Sequence, residues 1–130
     1  MPGGTYEHNL ISANTIREIS NALIAQKVGC RVLSGDMKIY IAGQNKFYYA
    51  DGLVICDEAQ FYNGRRDVLE NPTVIVEVMS VSTGQFDRTD KFADYSTLPS
   101  LKEYVLISQK QHLVEVLDFR CRERLGSADL

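Results

Sequence analysis

The period of the hydrophobic pattern changes several times along the chain, and each change predicts an element. From about Asn14 to Lys27, Ile16, Ile19, Ala22 and Leu23 recur at three- and four-residue spacing, with Arg17, Glu18, Asn21 and Gln26 on the other faces. That is the signature of an amphipathic helix. Thr15 and Glu18 form a candidate capping box and Gly29 a candidate stop, while the opening MPGGTYEH reads as a loop. Within Arg31 to Ala42, Met37, Ile39 and Ile41 alternate with Lys38 and Tyr40, which predicts a half-buried strand. After a turn at Gly43 to Lys46, the run FYYADGLVICDE predicts a second strand. It places Tyr49, Asp51, Leu53 and Ile55 on one face and Ala50, Gly52, Val54 and Cys56 on the other. Thr73 to Ser80, TVIVEVMS, is nearly continuously apolar, as in a strand buried on both faces. The next segment reads as a loop feeding a helix, capped by Ser82 or Thr83, with Phe86, Phe92 and Tyr95 as an interrupted stripe and Lys91 in its body. Leu101 to Ser108 and HLVEVLDF then predict a hairpin.

The order is helix, three strands, helix, two strands. The first three strands read as a meander, and the crossover helix places the fourth parallel to the third. The fold class expected is α/β (α+β), a mixed β-sheet flanked by helices, in a single domain over residues 1–130.

One residue of the apolar TVIVEVMS run does not belong there on hydrophobic grounds. A carboxylate at Glu77, left unanswered in such a strand, costs several kcal/mol or neutralises itself by a pKa shift. Asp51 is a second carboxylate in an otherwise apolar strand, and Gly52 beside it removes bulk, as where a backbone or ligand comes close. If the two strands pair, two carboxylates can face one cleft, where a divalent cation would relieve their repulsion. Hard oxygen ligands without nearby His or Cys favour Mg2+ or Mn2+, and a lysine at the same spot could orient or deprotonate a water. The alternative is that each carboxylate makes a salt bridge, Glu77 to Lys91.

Composition narrows the rest. Apolar residues make up 45% and charged residues 24% of the chain, as in ordinary soluble globular domains. No apolar run approaches about 18 residues and no signal pattern opens the chain, so no membrane partner and a cytoplasmic location are expected. A net charge of -3 argues against broad electrostatic capture of nucleic acid, though not against a basic cleft. Cys30, Cys56 and Cys121 form no CxxC pair and no zinc spacing with His8 and His112, so inert thiols in a reducing compartment are expected. Arg65, Arg66, Lys102, Lys110, Arg120, Arg122 and Arg124 read as solvated cations. His8 and His112 read as surface or hydrogen-bonded histidines. Tyr48, Tyr49 and Tyr95 read as core or rim aromatics.

The segments SGDMKIYI, FYYADGLVICDE, DVLENPTVIVEVMSVST, FDRTDKFADYSTLPSLKEYVLIS and HLVEVL, in that order, resemble the Uma-two family of bacterial restriction endonucleases. That family belongs to the PD-(D/E)XK nuclease superfamily, and the resemblance runs from about His8 to Phe119. It implies a restriction-endonuclease-like mixed β-sheet flanked by helices and metal-dependent hydrolysis of DNA. On this resemblance the PD motif falls on Ala50 and Asp51, the metal-binding glutamate on Glu77, and a metal-binding backbone carbonyl on Val78. The lysine usual two residues after the glutamate is replaced by Met79. The family's DRxxKxxxY pattern instead supplies Asp87, Arg88, Lys91 and Tyr95. Asp36 matches a further acidic position and His8 a histidine ahead of the first helix. The resemblance thus implies Asp51 and Glu77 on Mg2+ or Mn2+, with Lys91 assisting the attacking water. Ala50 and Val81 stand where the family has proline. The family's N-terminal hairpin and C-terminal end are missing, so the domain reads as truncated at both ends, with an exposed edge that favours a homodimer or other homo-oligomer. The rival expectations are an inactive nuclease-fold binding or interaction domain, and a nuclease component that needs a partner.

Overall fold

A computed structural model describes residues 4–79, 89–109 and 113–119. The first helix, α1, spans Tyr6–Ala25 and so begins well before Asn14. Its cap is Thr5, whose side-chain oxygen accepts the His8 N–H at 3.1 Å. The early turns were silent in the hydrophobic pattern because their apolar side chains, Tyr6 and Leu10, stay 75% and 47% exposed. At the other end Lys27, not Gly29, takes the left-handed conformation (φ 57). The Lys27 and Val28 N–H groups donate back to the Ile24 and Leu23 carbonyls and close the last turn.

Among the described residues eight strands follow: β1 Arg31–Ser34, β2 Lys38–Ile41, β3 Lys46–Tyr49, β4 Gly52–Ile55, β5 Val68–Leu69, β6 Val74–Met79, β7 Glu103–Ser108 and β8 Val114–Asp118. A short helix, α2, Asp90–Tyr95, lies between β6 and β7. The candidate caps Ser82 and Thr83, and Phe86 of the expected stripe, lie outside the described residues. The strands form two mixed sheets, β1-β4-β6-β7-β8 and β3-β2-β5. The fold class is as expected, β6 is central, and β7 runs parallel to it. The meander holds in its pairing, with β1 antiparallel to β4 and β4 antiparallel to β6, but the first two runs are not continuous strands. What reads as one strand from Arg31 to Ala42 turns at Gly35–Asp36, and FYYADGLVICDE breaks at Ala50–Asp51, so each run divides between the two sheets. Gly35 makes this packing feasible, since a Cβ there would stand 2.8 Å from the Ala50 carbonyl oxygen.

Ile39 and Ile41 of the small sheet, Leu53, Ile55, Ile75, Tyr104 and Leu106 of the large one, and Tyr95, Leu98 and Leu101 fill the space between the layers. On the opposite face of the large sheet α1 packs directly over β4. A Cβ on Gly52 would come within 3.3 Å of the Ile16 side chain. Among the described residues no helix is long and apolar enough to cross a membrane.

Cys30 and Cys56 are joined as a disulfide, which corrects the expectation of free thiols. They flank the Arg31–Ile55 partners at the end of the β1–β4 ladder, where antiparallel pairing brings their Cα atoms to 4.0 Å. These two positions therefore give no support to a reducing compartment. Closing a loop of 26-residue separation should stabilise the fold by about 3 kcal/mol on the chain-entropy model. A Cys30→Ser, Cys56→Ser protein is expected to unfold at lower urea concentration, measured by circular dichroism, with a larger m-value because the uncross-linked unfolded chain exposes more surface.

Candidate active site

The break between β3 and β4 fixes the position of Asp51. It does not lie inside a strand, as the alternation suggested, but immediately before β4. Gly52 is the partner of Val76 on β6. One residue earlier, the pairing is taken over by Asp51 alone. Its N–H donates to the Val76 carbonyl at 3.0 Å, and its Oδ2 accepts the Val78 N–H at 2.7 Å. Asp51 thus binds the β6 backbone on both sides of Glu77. The carboxylate supplies the acceptor that β3, having left for the other sheet, does not.

Glu77 is only 4% exposed, which answers the question its sequence context raised. Its Oε2 accepts from Lys91 Nζ at 2.9 Å and from the Tyr95 hydroxyl at 3.4 Å, both on α2. The ion pair is nearly buried, with side chains 15% and 5% exposed. Lys91 Nζ also sits 5.5 Å above the centre of the Tyr48 ring. The Tyr48 hydroxyl in turn donates a short hydrogen bond to Asp94 Oδ2, and Lys46 Nζ reaches the same oxygen at 3.2 Å. Buried Asp94 therefore anchors the ring that lies under Lys91.

Asp94 is the residue the sequence reading missed. A signal existed: it follows Lys91 by three positions, so a helix presents both on one side. Burial, the Asp94 hydrogen bond, and the negative charges of Asp94 and Asp90 together push the Tyr48 hydroxyl well above the ordinary tyrosine range. A folded-state pKa raised above the unfolded one contributes stability that is complete below the unfolded value, near 10, and is lost as pH climbs toward the folded value. Stability should therefore fall with pH above about 10, and Tyr48→Phe should flatten that fall. Denaturant titrations of both proteins across the alkaline range check this.

His8 comes from the first turn of α1, and its Nε2 lies 3.0 Å from Asp51 Oδ1, which makes Nε2 the proton-bearing nitrogen. Its Nδ1 has no partner among the described residues. Together with Asp36, exposed in the β1–β2 turn, with Gly4, Asn9 and Tyr49, these two residues line an open groove of about 690 Å3. The nominated residues thus form two contacting pairs, His8 with Asp51 and Lys91 with Glu77, with Asp36 on the groove lining beside the first. Val78 joins them through its N–H to Asp51. Asp87, Arg88 and His112 lie outside the described residues, as do Lys110, Arg120, Arg122 and Arg124.

Among the described residues no three His, Cys, Asp or Glu side chains gather as a metal cluster. An ion here would draw on the carboxylates of Asp51 and Glu77 and the Val78 carbonyl. These are hard oxygen donors with no thiolate among them, a set that fits Mg2+ or Mn2+ with remaining positions filled by water or phosphate.

A family model described as "Uma2: Putative restriction endonuclease" matches residues 1–124. Two uncharacterized proteins of Synechocystis sp. align at 34% identity over 116 residues and 32% over 108, covering 87% and 83% of this chain. The chain spans only 63% and 55% of their lengths. A crystal structure from Anabaena variabilis, described as "a putative nuclease belonging to DUF820", superposes with a TM-score of 0.63 at 18% identity. The match covers 91% of this chain and 69% of that one, and it establishes a shared fold.

Proposed function

The chain belongs to the Uma2 family, and from that premise we propose that it is a nuclease hydrolysing DNA phosphodiester bonds with Mg2+ or Mn2+ held by Asp51, Glu77 and the Val78 carbonyl. The observation that carries the reading is the clamp on β6. Asp51 bonds the backbone before and after Glu77, while Lys91 Nζ lies 2.9 Å from the same glutamate. Two carboxylates and a lysine from three elements are thereby gathered about one short stretch of strand.

A bound divalent ion supplies Lewis acidity toward a phosphoryl oxygen and a lowered pKa for water. The chain's own residues do the rest. Asp51 is held by the Val78 N–H and His8, so its carboxylate has one orientation and little freedom to lose on binding. Lys91, fixed by Glu77 and by the Tyr48 ring, aims an ammonium where it can hold the oxygen of an attacking water and meet charge developing on the phosphoryl group. Tyr48 and Asp94 act as positioning residues behind Lys91. Asp36 and Tyr49 stand on the wall of the groove through which a strand would reach Asp51.

The test is conversion of supercoiled plasmid to nicked or linear forms by the full chain. Conversion is expected with Mg2+ or Mn2+ and is expected to stop with excess chelator. A folded protein that leaves the plasmid supercoiled with both metals overturns the proposal.

A further inference from the structure

Outside the candidate active site, the most unusual surface is the outer face of the three-stranded sheet. Ile39 and Ile41 of β2 turn inward and are fully buried. By alternation Lys38 and Tyr40 turn outward, and their β3 partners Tyr49 and Phe47 turn with them. Aromatic rings are ordinarily buried, yet Phe47 is 43% and Tyr49 38% exposed. The rings form one continuous strip. Tyr62 packs 4.2 Å from Tyr40, which packs 5.0 Å from Phe47. Lys38 Nζ bridges onward, 5.7 Å from the Phe47 centroid and 5.6 Å from that of Tyr49. Tyr49 itself belongs to the groove wall beside Asp51. The strip therefore leads from the small sheet into the candidate active site.

We propose that this face binds single-stranded nucleic acid, with unpaired bases stacking on Phe47 and Tyr49 and Lys38 meeting the phosphates between them. Exposed rings alternating with a cation match the chemistry of single strands, whose bases offer open π-faces next to a charged backbone. In a duplex those faces are already stacked on one another, so exposed rings on a protein surface gain little. The choice of ligand rests on the nuclease reading, and the strip narrows that reading to substrates carrying unpaired nucleotides near the scissile bond. It also departs from the expectation that Tyr49 is merely a rim aromatic.

Binding is to be measured without divalent metal, so that cleavage cannot interfere, by fluorescence anisotropy of a labelled oligothymidylate of about 15 nucleotides. The comparisons are an abasic strand of the same length and a duplex of the same length. The intact strand is expected to bind about tenfold or more tightly than the abasic one. Phe47→Leu and Tyr49→Leu should each remove about tenfold from the intact strand only. Because the chain has no tryptophan, quenching of its tyrosine emission by the intact strand gives a second readout of stacking. Equal affinity for intact and abasic strands overturns the proposal, as do variants that weaken both alike. So does failure to bind either, which would leave the face to a protein partner. These results separate from the nuclease test: plasmid cleavage with equal strand affinities sinks the strip alone, and stacking without cleavage under any metal sinks the nuclease alone.

Discussion

On the proposed function, Lys91→Met is expected to slow metal-dependent strand cleavage by roughly 10²–10⁴-fold, the loss that follows when a group handling the reacting water is removed. Methionine keeps most of the stem and its packing against the Tyr48 ring but not the ammonium. The same substitution also destabilises the protein, because Glu77 at 4% exposure loses the cation 2.9 Å away. Removing one partner of a buried pair costs about 3 kcal/mol, which a urea titration resolves easily. The two effects can be separated. In a Lys91→Met, Glu77→Gln protein no unpaired charge remains, so much of the stability should return while cleavage stays lost. Recovery of activity along with stability would remove both Lys91 and Glu77 from the chemistry.

Asp51→Asn is expected to cost at least about 10²-fold in cleavage, on the scale of losing one electrostatic contact to the transition state, with little change in stability. The amide oxygen still accepts the Val78 N–H, so the end of β4 stays tied to β6. Asp51→Ala removes that acceptor and strands a backbone donor, adding a cost of about 1–3 kcal/mol. The informative comparison is therefore between Asn and Ala. If both variants are equally inactive but only Ala is less stable, the carboxylate charge and the strand clamp are distinct jobs of one side chain. An active Asp51→Asn protein would remove Asp51 from the chemistry and leave it as a strand terminator.

How far the sequence reached depends on what each element buries. The strands β6, β7 and β8 were legible because a buried parallel strand is continuously apolar and a hairpin at the sheet margin alternates. The split of FYYADGLVICDE was not, because the alternation Tyr49, Asp51, Leu53 runs through the break without a fault. Only Gly52 hinted at close backbone approach. The first turns of α1 were hidden because their cap is a polar interaction and their apolar residues face solvent. Glu77 announced itself, since a charge in an apolar run needs a partner, and the salt bridge to Lys91 offered as the alternative is present at 2.9 Å. The Tyr48–Asp94 support behind Lys91 joins β3 to α2 across the fold, and single-chain periodicity does not see such contacts. The Cys30–Cys56 bond was illegible for a similar reason: the spacing of two cysteines says nothing of the ladder that brings them together.

The claim on which the functional account turns is that Asp51 and Glu77 share one divalent ion. Titration of Mn2+ into the full chain, followed by the loss of free-ion electron paramagnetic resonance signal, tests it without requiring a substrate. The account predicts one saturable site in the native protein, lost in both Asp51→Asn and Glu77→Gln variants that remain folded. Equal Mn2+ binding in all three proteins, or none in the native one, would contradict it.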